Sequence, residues 1–155
     1  MYELHTHTDI AAPATVIWRI LTELDAYPRW NPFIKSIAGD IAVGERLEVV
    51  LQPPGGKPMT FKPTIVHVDP GRGFTWLGRL FGIPRLFDGE HSLRIESVDP
   101  DVVRFVHGER FGGVLVPFLR KMLDGPTREG FEAMNRALKT RAEEQASLER
   151  TARGP

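Results

Sequence analysis

The fold predicted from this 155-residue sequence is α+β, with an antiparallel sheet of about seven strands covered on one face by a long C-terminal helix. Two observations predict it. Short segments rich in β-branched and aromatic residues alternate with turn signals, so consecutive strands form hairpins, and hairpins build antiparallel sheets. Residues 114–147 instead repeat apolar side chains at helical spacing. A helix with one apolar face has to bury that face against the apolar face of the sheet.

The first third of the chain predicts a strand, a helix and a turn rich in aromatic residues. Residues 2–10 alternate and contain Thr and Tyr, as strands do. A helix is predicted over 13–24, because Pro13 suits a first helical position and apolar residues follow at helical spacing. Pro28 and Pro32 then disfavour helical backbone in the residues before them. The turn they define carries Tyr27, Trp30 and Phe33.

The remaining segments complete the sheet and the closing helix. Further strands are predicted at 34–38, 46–52, 60–68, 74–79, 89–98 and 102–110. Within the closing helix lies Gly125-Pro126, and a proline inside a helix clashes with a preceding carbonyl, so a kink or break is predicted there. We expect one domain over 1–147 and a frayed tail over 148–155.

The composition excludes several classes of protein. Net charge is zero and no run of Lys or Arg forms a basic patch, which argues against nucleic-acid binding. The chain has no cysteine, so disulfides, thiolate metal sites and cysteine nucleophiles are absent.

The sequence also bears on location. The first residues lack the basic and apolar regions of a signal peptide. The longest apolar run, at 114–119, is far shorter than the ~20 residues that span a bilayer. We expect a cytoplasmic protein with no integral membrane contact. Peripheral membrane contact stays open, and the sequence does not decide the oligomeric state.

Several motifs resemble those of the START-like helix-grip superfamily, also called SRPBCC, and its polyketide cyclase/dehydrase-like members in particular. They are Ala12-Pro-x-x-Val-x-Trp18, Tyr27-Pro-x-Trp-Asn-Pro-Phe33, Trp76-Leu-Gly78, Gly89-Glu-His91, His107-Gly-Glu-Arg-Phe-Gly112 and Gly130-Phe-Glu-Ala-Met-Asn135. The resemblance covers nearly the whole chain. It implies a curved sheet that grips the C-terminal helix, with a ligand cavity between the two.

Alternation along the two longest strands gives a candidate site. In 89–98 and 102–110 the inward positions include His91, His107 and Glu109 among aliphatic and aromatic residues. An apolar concavity with a few convergent polar groups is typical of a small-molecule site. The residues predicted to line it, beside Glu109, are Trp30, Phe33, Met59, Phe61, Trp76, Phe87, His91, Phe105, His107, Phe118 and Met122. The alternative is that they form ordinary core and that a His–Glu pair is structural.

Other chemistry has little support in the sequence. Two histidines and one glutamate are the minimum for a hydrolytic zinc site, but no compact ligand motif accompanies them, so we predict neither metal nor cofactor. His5 and His7 alternate with Leu4 and Thr6 and are expected to face solvent.

The loop over 80–88 is unusually apolar for a surface segment. It is interpreted as a lid or mouth over the cavity, and the alternative is packing onto the C-terminal helix.

Three functions agree with these features. The preferred one is binding of a hydrophobic or amphipathic small molecule, such as a lipid, an isoprenoid or an aromatic, polyketide-like metabolite. The second, implied by the resemblance, is a cyclase or dehydrase that uses His91, His107 and Glu109 as acid–base groups, since histidine exchanges protons near neutral pH. The third is binding of a protein partner through the loop over 80–87 and the start of the last helix.

Overall fold

The computed structural model describes every residue from Met1 to Pro155 and confirms the predicted fold class. The strands are β1 (Tyr2–Ile10), β2 (Ile34–Ala38), β3 (Glu48–Leu51), β4 (Met59–Phe61), β5 (Thr64–Asp69), β6 (Gly73–Arg79), β7 (Asp88–Asp99) and β8 (Val102–Gly112). The helices are α1 (Ala14–Thr22), α2 (Tyr27–Trp30), α3 (Val116–Met122) and α4 (Arg128–Arg153).

The strands form two antiparallel sheets. The larger sheet has five strands in the order β1-β8-β7-β6-β5, and the smaller has three in the order β2-β3-β4. The strand predicted over 60–68 is wrong in one respect, because it is split between β4 and β5, which belong to different sheets. Pro63 lies between them, and proline has no N–H to donate to a sheet.

The C-terminal helix is continuous but changes its winding. A π-helical turn over Leu123–Thr127 joins α3 to α4 and contains Pro126. The prediction of a break is thereby corrected, because a wider helical turn accommodates the proline and the helix does not end there. The predicted end at 147 is also corrected, since α4 runs to Arg153.

The core lies between the larger sheet and two helices, α1 and α4. From α4 the side chains of Phe131, Met134 and Leu138 are fully buried, and α1 contributes Ile17 and Leu21. No helix combines the length and the apolar character needed to cross a membrane.

Candidate functional site

The candidate polar residues are neighbours on the inward face of the larger sheet. His91 on β7 lies opposite Glu109 on β8 and opposite Trp76 on β6. His107 lies two residues before Glu109 on the same strand, so both side chains point to the same face. His5 and His7 are exposed, as predicted.

These residues form one continuous chain of hydrogen bonds. Glu109 Oε2 lies 3.2 Å from His91 Nδ1, and His91 Nε2 lies 2.9 Å from His107 Nε2. His107 Nδ1 lies 3.0 Å from Asn135 Oδ1 on α4. Asn135 Nδ2 donates to Thr6 Oγ1 at 2.8 Å, and the Thr6 hydroxyl donates to the backbone carbonyl of His107 at 3.1 Å. The chain thus connects the C-terminal helix to three strands.

The amide of Asn135 fixes the direction of this chain. Because its nitrogen donates to Thr6, its oxygen accepts the Nδ1 proton of His107. A neutral His107 then accepts at Nε2 the proton on His91 Nε2. His91 Nδ1 is left facing Glu109, and one proton has to lie between those two groups. The pair is therefore either a neutral imidazole with a carboxylic acid or an imidazolium with a carboxylate.

Aromatic rings enclose both histidines. The His91 ring is stacked on Trp76 at a centroid distance of 4.6 Å, and the His107 ring is stacked on Phe131 at 3.9 Å with an interplanar angle of 3°. Burial, together with repulsion from His91, holds the pKa of His107 well below its usual value of 6.5. His107 is consequently neutral near pH 7, as the hydrogen-bond chain requires.

Glu109 is the end of the hydrogen-bond chain that lies nearest to solvent. Its side chain retains 14% of its exposure, whereas that of His91 retains 1%. Of the three residues predicted as acid–base groups, Glu109 alone is accessible from outside the core. His91 and His107 lie behind it and reach a ligand only through it.

A glycine on the neighbouring strand makes room for the Glu109 carboxylate. Gly89 on β7 pairs with Gly78 on β6. A methyl group at Gly89 would overlap the Glu109 carboxylate, whereas one at Gly78 would lie 3.6 Å from the ring of Phe61, an ordinary contact.

We therefore expect Gly89→Ala to move the Glu109 carboxylate away from His91 and to lower the free energy of unfolding by roughly 1.5–3 kcal/mol, the contribution of a hydrogen bond to a charged group. Urea unfolding measures this change. Gly78→Ala is the matched control, and it should be neutral or slightly stabilising because it restricts the unfolded chain without a clash. Equal losses in the two variants would contradict the role given to Gly89.

The structure divides the predicted lining residues into three groups. Those in the buried core are Phe33, Trp76, His91, Phe105 and His107. Those partly exposed are Trp30, Phe61 and Phe87. Those exposed are Met59, Phe118 and Met122. At the level of the histidines, the space between sheet and helix is filled by side chains, Phe131 among them. Trp30 lies away from this region, in a groove on the flank of α4.

Three residues of the site were missing from the prediction. Phe131 and Asn135 lie one helical turn apart on the buried face of α4, and Thr6 lies on the inward face of β1. A signal for Asn135 was present, because a lone amide between Phe131 and Leu138 on an apolar face requires buried partners. Which strand residues would supply those partners depends on the packing of helix against sheet.

An apolar surface adjoins one end of the larger sheet, where β6 ends, β7 begins and β8 leads into α3. We call this the outer end of the sheet. The loop between β6 and β7 exposes Phe81 and Ile83, and the corner before α3 exposes Val114. The two segments are joined where Val114 N–H donates to the carbonyl of Arg85 at 3.0 Å. Phe81 and Arg85 adopt left-handed backbone, with φ of 53° and 64°. Such strain in residues other than glycine concentrates at functional sites.

The structure holds no cluster of three His, Cys, Asp or Glu side chains that could bind a metal ion. His91, His107 and Glu109 are joined end to end rather than around a common point. Their nitrogens and oxygens are satisfied mainly by one another.

Comparisons with known proteins place the chain among a defined set of folds. Residues 1–143 match the sequence model of the family described as polyketide cyclase / dehydrase and lipid transport. No curated protein matches the chain.

Solved structures resemble this one over nearly their whole length. A START superfamily protein from Mycobacterium smegmatis has a TM-score of 0.70 and 19% identity, covering 94% of this chain and 99% of its own. The aromatase/cyclase Zhui from Streptomyces sp. R1128 has a TM-score of 0.74 and 16% identity, covering 93% and 94%. A norcoclaurine synthase variant from Thalictrum flavum has a TM-score of 0.70 and 17% identity, covering 93% and 95%. At these identities the likeness establishes the fold.

Proposed function

Because the chain belongs to the polyketide cyclase / dehydrase and lipid transport family, we propose that it binds a hydrophobic or amphipathic small molecule between its larger sheet and its C-terminal helix. The ligand enters beside α3 and the loop over 80–87. Glu109 meets its polar group, and apolar side chains cover the rest.

The observation that carries this proposal is the poor packing of α3. Val116 is its one buried residue, although the helix carries Phe118, Leu119 and Met122. Phe118 is 82% exposed and Met122 is 37% exposed. Exposed apolar surface of this kind marks ligand mouths and partner surfaces. A molecule bound against this exposed face of α3 would remove these side chains from water.

The filled core supports a ligand position outside the histidines. Phe131 is stacked on His107, so no molecule contacts His107 while that ring stays in place. Glu109 lies at the boundary between the packed interior and the outer end of the sheet. The ligand therefore occupies the outer end, with Glu109 as its deepest polar contact.

Mass spectrometry of the purified protein under native conditions tests the proposal, with co-purified lipid or aromatic metabolite expected. The fluorophore ANS provides a second readout. Phe118→Ser should weaken ANS binding about tenfold, the loss expected when burial of a large apolar side chain is removed. The control is Leu148→Ser at the far end of α4, where Leu148 is 70% exposed. No co-purified molecule, together with equal ANS affinity in both variants, would refute the proposal.

A second candidate is acid–base catalysis at Glu109, favoured by the single proton that Glu109 and His91 share. The pair could donate or accept that proton at a bound carbonyl or hydroxyl group, while His107 and Asn135 keep His91 in one tautomer. For a substrate identified by the mass spectrometry, Glu109→Gln should lower kcat by roughly 10²–10⁴. An unchanged kcat would leave binding alone as the function.

A further inference from the structure

A groove of about 400 Å³ lies on the flank of α4 where α2 packs beside it. Its polar lining consists of Arg29, Trp30, Arg136, Thr140, Arg141 and Glu144. The groove is separate from the residues between sheet and helix described above. Trp30 was predicted to line the interior and instead lies here.

Two buried donors in this groove have no acceptor. Trp30 Nε1 and Arg141 Nε are both inaccessible to solvent and unpaired within the protein, and they are two of four such side-chain atoms in the whole chain. Buried polar groups in native proteins nearly always have partners, so each unpaired donor calls for one. Both lining atoms donate, and the partner they require is an acceptor.

The charges of the groove also indicate an acceptor, and a negatively charged one. Arg29, Arg136 and Arg141 form no ion pair, although Glu144 lines the same groove. Elsewhere some arginines pair with carboxylates: Arg19 pairs with Glu149 of α4, and Arg104 pairs with Asp9 at 2.9 Å. Three unpaired guanidinium groups beside one carboxylate leave an excess of positive charge.

We propose that this groove binds a small molecule through a phosphoryl group. Guanidinium groups present several donors in a plane and bind phosphate oxygens in pairs, more strongly than they bind neutral acceptors. Arg136 and Arg141 hold two phosphoryl oxygens, and the indole N–H of Trp30 donates to a third when the side chains that cover it move aside. Thr140 and Glu144 are left to bind hydroxyl groups of the organic part.

The test uses ¹⁵N-labelled protein titrated with inorganic phosphate and with glycerol 3-phosphate, at constant ionic strength set by NaCl. The indole N–H resonance of Trp30 is identified by its loss in Trp30→Phe. We expect a saturable downfield shift of that resonance with both phosphates. Arg136→Gln and Arg141→Gln should each raise the dissociation constant roughly tenfold, the effect of removing one charge-assisted contact.

Arg150→Gln is the matched control, because Arg150 lies on the same helix, is exposed and makes no ion pair. Its dissociation constant should equal that of the parent protein. If Arg150→Gln weakens binding as much as Arg136→Gln, the attraction is nonspecific and the proposal is wrong. If the Trp30 resonance does not shift, the phosphoryl group does not reach the indole N–H and the proposal is wrong. It is also wrong if vesicles containing phosphatidic acid shift the resonance while both soluble phosphates do not, since the groove would then bind a membrane surface.

Discussion

Replacing Phe131 with alanine is expected to lower the free energy of unfolding by roughly 3–5 kcal/mol, the range measured for large aromatic residues in packed cores. Phe131 is fully buried, and its ring contacts His107, His91 and Phe33 at centroid distances of 3.9, 5.2 and 5.5 Å. Alanine would remove those contacts and leave a cavity that the rigid sheet cannot close. Thermal or urea unfolding measures the loss, which corresponds to a fall in Tm of about 10 °C for a domain of this size.

Phe118→Ala provides the matched control, because it removes the same ring from a position that is 82% exposed. Its free energy of unfolding should change by less than about 0.5 kcal/mol. Phe131→Leu should fall between the two, because leucine retains part of the buried volume. If the alanine variants lose equal stability, Phe131 does not fill the space between sheet and helix as the structure indicates.

The inward face of the sheet was predictable because strands have a period of two. Alternation alone placed His91, His107 and Glu109 on one face, and the structure joins them in one chain of hydrogen bonds. The boundaries of β1 and β2 were also predictable, because each strand ends at a clear turn signal. These features are set by residues close together in the sequence, and so the sequence alone predicts them.

The distance between the larger sheet and the C-terminal helix was not predictable in the same way. Helical spacing put Phe131 on the inner face of α4, but it gave no indication that its ring would lie directly on His107. Even in a regular α-helix of 3.6 residues per turn, the spacing between Phe118 and Phe131 puts them on nearly opposite faces, so the apolar residues of α3 do not continue the buried face of α4. Phe118 is therefore exposed while Phe131 is buried.

Trp30 shows how a short element can redirect a side chain. The prolines predicted a turn here, but the chain instead forms the four-residue helix α2, with Pro28 in its first turn. Tyr27 points into the core and donates its hydroxyl hydrogen to the carbonyl of Leu21 at 2.7 Å. Trp30 packs against Tyr27 from the outside and lines the groove on α4. Composition could not distinguish these two directions.

Acidification below pH 6.5 is expected to destabilise the protein through His107. The pKa of His107 lies well below 6.5 in the folded state because the side chain is buried, whereas the unfolded chain has an ordinary histidine pKa of about 6.5. Below that pH the unfolded state binds a proton that the folded state does not, so protonation favours unfolding. The free energy of unfolding should fall by up to about 1.4 kcal/mol per pH unit from pH 6.5 down to the folded pKa.

Urea unfolding at a series of pH values between 7.5 and 5 would isolate this contribution when the protein is compared with His107→Gln. Glutamine retains one donor for Asn135 and one acceptor for His91 but cannot be protonated in this range. All other titratable groups are the same in both proteins, so the difference between the two slopes reports on residue 107. The slope of the parent protein should therefore exceed that of His107→Gln by about 1.4 kcal/mol per pH unit below pH 6.5. Parallel slopes would mean that His107 takes up a proton in the folded state as readily as in the unfolded chain, and the direction assigned to the hydrogen bonds from Asn135 to Glu109 would then be wrong.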